Sequence, residues 1–195
     1  MGILYELSMM QDKLDRTITN NHNLHTEDLY TLKKISLLVE LGELANELRF
    51  FKFWSWNQER KEYPCEYCGG TGENAPFGGP CYDCEGSGYG PDKVLEEYTD
   101  IVHFTLSICL NHHKYTDKYQ LKYMLDNIEP LHYTTLEEQF NHMFGEISNN
   151  MYSNIEYIVR LVIGLGKLLG YNLEDISKGY HNKFEINMQR QKEQY

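Results

Sequence analysis

Residues 37–48 read Leu-Leu-Val-Glu-Leu-Gly-Glu-Leu-Ala-Asn-Glu-Leu. The leucines at positions 37, 41, 44 and 48 recur at steps of three and four, which is the spacing of one face of an α-helix. Glu40 and Glu43 lie one helical turn apart, beside that apolar face. The stretch therefore predicts a helix that packs through its leucines and carries two carboxylates at the edge of the core.

Helical spacing of apolar residues continues through most of the chain. Outside residues 57–90, no segment shows the sustained alternation of apolar and polar residues that half-buried strands require. The fold class is therefore predicted to be all-α, a helical bundle. The predicted helices cover roughly residues 3–19, 26–50, 91–111, 135–147 and 155–169, and a last one runs from 172 toward the C-terminus. Their predicted boundary residues are Thr26, Pro91, Thr135, Gly170 and Asn172.

Composition and charge exclude several kinds of protein for this chain. The chain has 195 residues, of which 41% are hydrophobic, enough for one domain with its own core. No apolar run is long enough for a membrane span and no secretion signal opens the chain, so a cytoplasmic protein without membrane contact is expected. The formal net charge of −11 repels nucleic-acid backbones, so a phosphorylated ligand requires a local basic cluster or a metal ion.

Residues 57–90 differ from the rest of the chain because they are rich in glycine, proline and cysteine. They are predicted to form an inserted module within a helical domain made of residues 1–56 and 91–195. Because the insert connects two predicted helices, its own stability affects the helical body only locally.

The insert contains two copies of the motif C-x-x-C-x-G-x-G, at residues 65–72 and 81–88. Two close pairs of thiolates supply a tetrahedral zinc site, and four sulfur ligands leave no open position, so the zinc ion is predicted to be structural. The motif resembles the zinc-binding repeat of the cysteine-rich region of Hsp40 chaperones. Disulfides or free thiols are the alternatives, and the absence of a secretion signal disfavours disulfides. The predicted zinc ligands are Cys65, Cys68, Cys81 and Cys84.

A second pair of acids, Glu97 and Asp100, has the same helical spacing as Glu40 and Glu43. Each pair lies beside apolar positions, so packing the two helices together brings the acids toward one another. Unit charges ~5 Å apart repel by about 3 kcal/mol at an effective dielectric of ~20. Hard oxygen ligands in this number suit Mg²⁺. The alternative for either pair alone is an ordinary solvated helix face.

The last predicted helix carries the opposite charge. Lys183, Asn187 and Arg190 fall at positions i, i+4 and i+7, so an ammonium, an amide and a guanidinium share one face in an acidic protein. This arrangement suits a polyphosphate. The alternative is a solvated amphipathic terminus.

Five stretches together resemble the ordered motifs of the dimeric, all-α dUTPases, which belong to the MazG-like nucleoside triphosphate pyrophosphohydrolases. The stretches are residues 11–18, 38–47, 51–55, 96–104 and 183–191. The family's known chemistry implies that dUTP is hydrolysed to dUMP and pyrophosphate. Water would attack the α-phosphate with the help of two or more Mg²⁺ ions and without a covalent intermediate.

The resemblance also implies a role for individual residues. The implied Mg²⁺ ligands are Glu40, Glu43, Glu97 and Asp100. Glu43 is the candidate catalytic residue that positions or deprotonates the water. The implied phosphate-binding residues are Lys183, Asn187, Arg190 and Lys52. The implied nucleoside-binding residues are Gln11 and Trp54.

Other functions remain open from the sequence. The same chemistry on dCTP or on a modified nucleotide is the nearest alternative, because few contacts decide base specificity. A different alternative is a nucleotide-sensing binding protein whose zinc module contacts a protein partner. His103, one turn after Asp100, is either a ligand contact or a core histidine.

A homodimer is predicted for two reasons. The resemblance implies a dimer, and the stretch 155–169 has apolar residues on more than one side, more than a single buried stripe requires. A surplus apolar face usually meets a partner, and a two-fold dimer is the simplest closed arrangement. The alternative is a helix buried centrally within one subunit.

Overall fold

Seven α-helices make up the described part of the chain, which is residues 2–25, 28–76 and 78–193 of this computed structural model. In chain order they are α1 (Ile3–Asn21), α2 (Tyr30–Leu48), α3 (Lys93–Leu110), α4 (Lys118–Asp126), α5 (Leu136–Asn150), α6 (Ile155–Leu168) and α7 (Leu173–Lys192). A short 3₁₀ turn, His113–Tyr115, lies between α3 and α4. Within these ranges no β-strand forms, and the two isolated β-bridges both lie in the insert. The predicted all-α fold class is confirmed.

The helix α3 lies at the centre of the bundle, where it contacts α1, α2, α6 and α7. The leucine face of α2 belongs to the same core: Leu37, Leu41 and Leu44 are fully buried, as are Tyr98 and Ile101 of α3. Burial of one leucine side chain contributes about 2 kcal/mol of hydrophobic free energy. The core therefore sets how α2 and α3 are placed against each other, and with them the acids on their edges.

Two helix starts differ from the sequence-based expectation. α3 begins at Lys93 rather than at Pro91, because Asp92 Oδ1 accepts hydrogen bonds from the backbone amides of the first turn and so caps the helix. α2 begins at Tyr30. The predicted cap of α2, Thr26, lies outside the described residues.

Other predicted boundaries agree with the structure. The side chain of Thr135 caps α5, and that of Asn172 caps α7 in a reciprocal capping box. Gly170 follows α6 with a φ of 90°, a left-handed conformation that glycine adopts without strain. The helix α4 was not predicted, because its nine residues give few turns over which an apolar period can be recognised.

The apolar residues of α6 are buried inside the single chain and do not form a dimer interface. Ile158, Leu161 and Leu165 are fully buried within the single chain, and Gly164 lies so close to the backbone of Leu131 that a methyl group would not fit between them. The apolar excess of α6 is therefore used internally, and the prediction that it presents a surplus face is wrong. Across the described ranges, α6 and the other helices all lack the combination of length and hydropathy that a membrane-spanning helix needs.

Candidate active site

Packing of α2 on α3 brings three of the four predicted Mg²⁺ ligands together. Carboxylate oxygens of Glu40, Glu97 and Asp100 lie within 4.8 Å of one another. We refer to these three residues as the acid cluster. Glu43 is exposed and falls outside this group, but its charge raises the pKa of both Glu40 and Glu97. The acid cluster thus combines residues far apart in sequence through the packing of two core helices.

Burial and mutual repulsion make the acid cluster hard to ionise. Burial, followed by the charges of Asp100 and Glu43, raises the pKa of Glu40 to about 7. Burial, followed by the same two charges, raises the pKa of Glu97 to about 7. A divalent cation among these oxygens would remove the repulsion, and carboxylate oxygens are the ligands that Mg²⁺ prefers. The donor set therefore fits a magnesium site.

Lys183 of α7 supplies a positive charge at the edge of the acid cluster. Its Nζ lies 2.6 Å from Asp100 Oδ2 and 3.2 Å from Glu96 Oε1. Burial alone would lower the pKa of Lys183, but Asp100 and Glu96 outweigh it and raise that pKa. Glu96 was not singled out from the sequence. Its position four residues before Asp100, on the same helix face, is the signal that could have identified it.

A cavity of about 370 Å³ opens beside the acid cluster, and side chains of α1, α2, α3 and α7 line it. It brings one predicted nucleoside-binding residue, Gln11, and two predicted phosphate-binding residues next to one predicted metal ligand, Asp100, whereas Lys183 does not line it. Among its lining residues are Gln11, Asp15, Asp100, His103, Asn187 and Arg190. A ligand in this cavity would therefore contact both a carboxylate of the acid cluster and, on α7, the guanidinium of Arg190 and the amide of Asn187.

Gln11 is held in one orientation by a buried network. Its Nε2 donates to Asp15 Oδ1 at 2.6 Å, while its Oε1 accepts from the hydroxyl of Tyr180 at 2.5 Å. Asp15 Oδ2 in turn accepts from Lys33 Nζ at 2.9 Å and from Ser107 Oγ at 2.5 Å. A carboxylate cannot donate, so Asp15 fixes which end of the Gln11 amide carries the hydrogens. Asp15 follows Gln11 by one helical turn, and this spacing is the signal in the sequence that could have identified it.

Comparison with known protein families gives one match. The model of a family described as dUTPase matches residues 3–68 and 87–195. The chain belongs to the dUTPase family. The match includes both acid-bearing helices and the whole of α7, so the family supports a nucleotide pyrophosphohydrolase activity for this chain. No curated protein matches the chain.

The match of this dUTPase-family chain is interrupted at the centre of the insert. The gap covers residues 69–86, which is narrower than the predicted module of residues 57–90. It contains Cys81 and Cys84, whereas Cys65 and Cys68 lie within the matched part. The complete set of four cysteines therefore depends on a segment that the family model does not include.

His103 lies both in the core and at the cavity. It is 4% exposed, and its ring stacks on that of Tyr180 with the centroids 3.7 Å apart. Its Nδ1 lies 2.8 Å from Gln11 Oε1. Because that oxygen can only accept, Nδ1 carries the hydrogen. Burial lowers the pKa of His103 to about 3, so the ring is neutral and helps to hold Gln11 in place.

Two predicted nucleotide contacts lie away from the cavity. Trp54 is 64% exposed and packs edge-on against Phe53, with the ring centroids 5.0 Å apart. Lys52 Nζ lies 5.6 Å from the centre of the Phe51 ring. Neither Trp54 nor Lys52 lines the 370 Å³ cavity in the single chain. Their contact with a nucleotide stays a prediction.

The four cysteines of the insert converge on one point. Their sulfur atoms all lie within 4.8 Å of one another. We refer to these four residues as the cysteine cluster. All five cysteines of the chain are free, and the sulfur–sulfur distances of 3.9 Å for Cys65–Cys81 and 3.8 Å for Cys68–Cys84 are far longer than a disulfide bond. The disulfide alternative is therefore wrong.

Backbone amides point at two of these sulfurs. The amide of Gly72 donates to Cys68 Sγ at 3.3 Å, and that of Gly88 donates to Cys84 Sγ at 3.2 Å. Burial opposes ionisation of Cys68, but hydrogen bonds from the backbone of Gly72 and Gly70 and from the neighbouring cysteine side chains outweigh it and lower the pKa of Cys68 to about 6. A Cβ on Gly72 would lie 2.5 Å from a backbone oxygen of the facing copy, so the close approach of the two loops requires glycine. Four sulfur donors, two of which accept hydrogen bonds from backbone amides, fit a zinc ion.

Proposed function

We propose that this protein hydrolyses dUTP to dUMP and pyrophosphate. The observation that carries the proposal is that one cavity joins Asp100 of the acid cluster to the oriented amide of Gln11 and to Asn187 and Arg190. Metal-binding, phosphate-binding and base-reading groups therefore surround one nucleotide-sized space, in a chain that belongs to the dUTPase family.

The acid cluster is the proposed Mg²⁺ site, and Glu43, which lies outside it, is proposed to act on the attacking water rather than as a metal ligand. When bound, Mg²⁺ supplies a Lewis acid that polarises the phosphoryl oxygens. Lys183 and Arg190 neutralise charge on the phosphates, and the amide of Asn187 donates to them. Glu43, the exposed member of the acidic set, orients the attacking water and accepts its proton. The α-phosphorus gains the oxygen of that water, and the bond to the bridging oxygen of pyrophosphate breaks.

The hydrogen bonds around Gln11 favour binding of uracil over cytosine. Its Oε1 is already occupied by Tyr180 and His103, and one Nε2 hydrogen is directed to Asp15. The second Nε2 hydrogen can donate to a base carbonyl. Uracil offers two carbonyl oxygens in its ring and cytosine only one. Cytosine has an amino group where uracil has its second carbonyl. If that position faced Gln11, the amino group and Nε2 would both be donors and no hydrogen bond could form between them.

Turnover of a nucleotide panel tests the proposal. dUTP, dCTP, dTTP, dATP, dGTP and dUDP are incubated with the protein and Mg²⁺ in ¹⁸O-labelled water, and monophosphate and pyrophosphate are measured. We expect dUTP to be the best triphosphate and the label to enter dUMP, because water attacks the α-phosphorus. Equal turnover of dCTP would contradict the base preference. Tight binding of dUTP without turnover would favour the nucleotide-sensing alternative.

We also propose a homodimer whose interface is formed by α2 rather than by α6. Leu32, Ile35 and Val39 fall on one face of α2 and are 61%, 50% and 49% exposed, an apolar stripe that no other part of the described chain covers. Sedimentation should give twice the 23.0 kDa mass of the chain, and Ile35→Glu should shift the protein toward the monomer. A 23.0 kDa species that does not depend on concentration would contradict this proposal.

A further inference from the structure

The described residues of the insert, 57–76 and 78–90, form no hydrophobic core of their own. Among its described residues, the buried ones are Cys65, Gly72, Asn74, Cys81 and Gly88, and none has a large apolar side chain. Its tyrosines are instead exposed. A module of this size cannot stay folded on so little apolar burial, and a structural metal is one of the means by which small modules are stabilised.

The segment that leads into the insert contacts the end of α2. We refer to residues 60–63 as the stem. The amide of Lys61 donates to the carbonyl of Glu47 at 2.9 Å, and Lys61 Nζ lies 2.5 Å from Glu47 Oε1. The hydroxyl of Tyr63 donates to Glu47 Oε2 at 2.8 Å. Glu47 follows Glu43 and Glu40 by one and two turns, so the stem is fixed to the helix that carries the acids.

The stem also contacts the beginning of α3 and of α7. Arg60 Nη2 lies 2.9 Å from Oδ1 of Asp92, the residue that caps α3. The hydroxyl of Tyr171, just before α7, donates to Asp92 Oδ2 at 2.8 Å. The three helices that carry the acid cluster and Lys183 are therefore linked at one end through the stem and Asp92.

The cysteine cluster closes the insert directly beside the stem. The amide of Gly90 donates to the carbonyl of Tyr63 at 2.8 Å, and the amide of Cys65 donates to the carbonyl of Gly88 at 2.9 Å. These bonds flank the β-bridge between Pro64 and Tyr89. The chain entering the insert and the chain leaving it are thus paired at the first cysteine and just before it.

We propose that the cysteine cluster binds a structural zinc ion and that the zinc-loaded insert, acting through the stem, clasps the end of α2 to the start of α3. The clasp holds the acid cluster at its metal-binding spacing. The second part of this proposal rests on the proposed function, because it takes the acid cluster as the Mg²⁺ site. The zinc ion is a positioning element and takes no part in the reaction.

The first test compares the wild-type chain with two variants of the insert. Cys81→Ser removes a zinc ligand, and Tyr82→Ser changes an exposed neighbour as the matched control. Elemental analysis should find one zinc ion per chain in the wild type and in Tyr82→Ser, and none in Cys81→Ser. Absence of zinc from freshly purified wild-type protein would overturn the zinc site.

Hydrogen exchange measures the clasp independently of nucleotide chemistry. In Cys81→Ser we expect faster amide exchange in residues 44–48 and 94–100, with α5 and α6 unchanged. The Mn²⁺ dissociation constant, measured without nucleotide, should rise by about tenfold, the effect typical of losing outer-shell support at a metal site. Loss of zinc with unchanged exchange in both segments would overturn the clasp.

A stem variant keeps the test valid if Cys81→Ser does not fold. Lys61→Ala combined with Tyr63→Phe removes the side-chain links to Glu47 and leaves the cysteines in place. It should retain zinc and reproduce the faster exchange at the end of α2; unchanged exchange there would overturn the clasp. Faster exchange in a protein that hydrolyses no nucleotide would support the clasp and contradict only the proposed function.

Discussion

The acid cluster and the cysteine cluster both gather metal-binding groups, but different forces position them. The acids lie on two helices of the main core, which buried leucines pack together and which the stem links at one end. The cysteines lie on two tight loops with almost no apolar burial. The acid cluster is therefore preorganised and strained by repulsion, whereas the cysteine cluster depends on its metal for structure. Loss of a ligand should impair function at the first cluster and folding at the second.

Glu97→Gln should have the largest effect on activity. The change keeps the shape of the side chain and removes one charge from the acid cluster, so the fold is retained while metal binding weakens. We expect kcat/KM for dUTP to fall by at least about 100-fold, because loss of even an outer-shell partner typically costs 10- to 100-fold. Glu185→Gln on the exposed face of α7 is the matched control. Wild-type turnover by Glu97→Gln would contradict the assignment of the acid cluster.

Glu43→Gln separates a water-orienting acid from a metal ligand. Glu43 is exposed and lies outside the acid cluster, so the substitution should leave the Mn²⁺ dissociation constant nearly unchanged. We expect kcat to fall by about 100-fold, in the range typical of losing a general base, with the fold retained. Equal losses of metal affinity in Glu43→Gln and Glu97→Gln would show that Glu43 is a ligand like the other acids.

Asp15 is a carboxylate whose partners are already present in the chain. Lys33, Ser107 and Gln11 all donate to it, so it needs no metal ion. In Asp15→Asn the new amide cannot accept from all of these donors, and Gln11 loses its fixed orientation. We expect KM for dUTP to rise by about tenfold with kcat little changed, whereas Asp12→Asn on the same helix should behave like the wild type. A fall in kcat alone would argue against a base-positioning role.

The smallest expected effect is on stability as a function of pH. Glu40 and Glu97 have folded pKa values of about 7, above the ordinary value of 4.5, so the folded chain holds protons that the unfolded chain has released. Their contribution to stability is therefore present at low pH and is lost as pH rises from about 4.5 to about 7. Mg²⁺ should raise Tm by a few degrees more at pH 8 than at pH 5. Thermal melts with and without Mg²⁺ measure this, and an equal rise in Tm at both values would contradict the shifted pKa values.

Features set by local spacing could be predicted from the sequence. The leucine period of α2 determines which side of that helix faces the core, and the acids on its edge follow from it. The caps at Thr135 and Asn172 were predictable for the same reason, since a cap depends on a few adjacent residues. The glycines of the cysteine motif likewise specify loop geometry within a few residues.

Features that depend on how helices are placed relative to one another could not be predicted. The contact between Asp15 and Lys33 joins α1 to α2, and no sequence period specifies that distance. An apolar helix face in the sequence does not show whether the same chain or a second chain covers it. For α6 the cover is the same chain, because the backbone at Leu131 packs against it. The stem contacts at Glu47 also required the three-dimensional arrangement.

Anomalous scattering from one crystal tests most directly whether the two clusters bind different metals. Crystals of the purified protein are soaked in Mn²⁺, and difference maps are recorded at the zinc and manganese absorption edges. We expect a zinc peak surrounded by the four sulfurs of the cysteine cluster and manganese at the carboxylates of Glu40, Glu97 and Asp100. Manganese absent from those carboxylates, or zinc absent from the sulfurs, would contradict the division of roles between the two clusters.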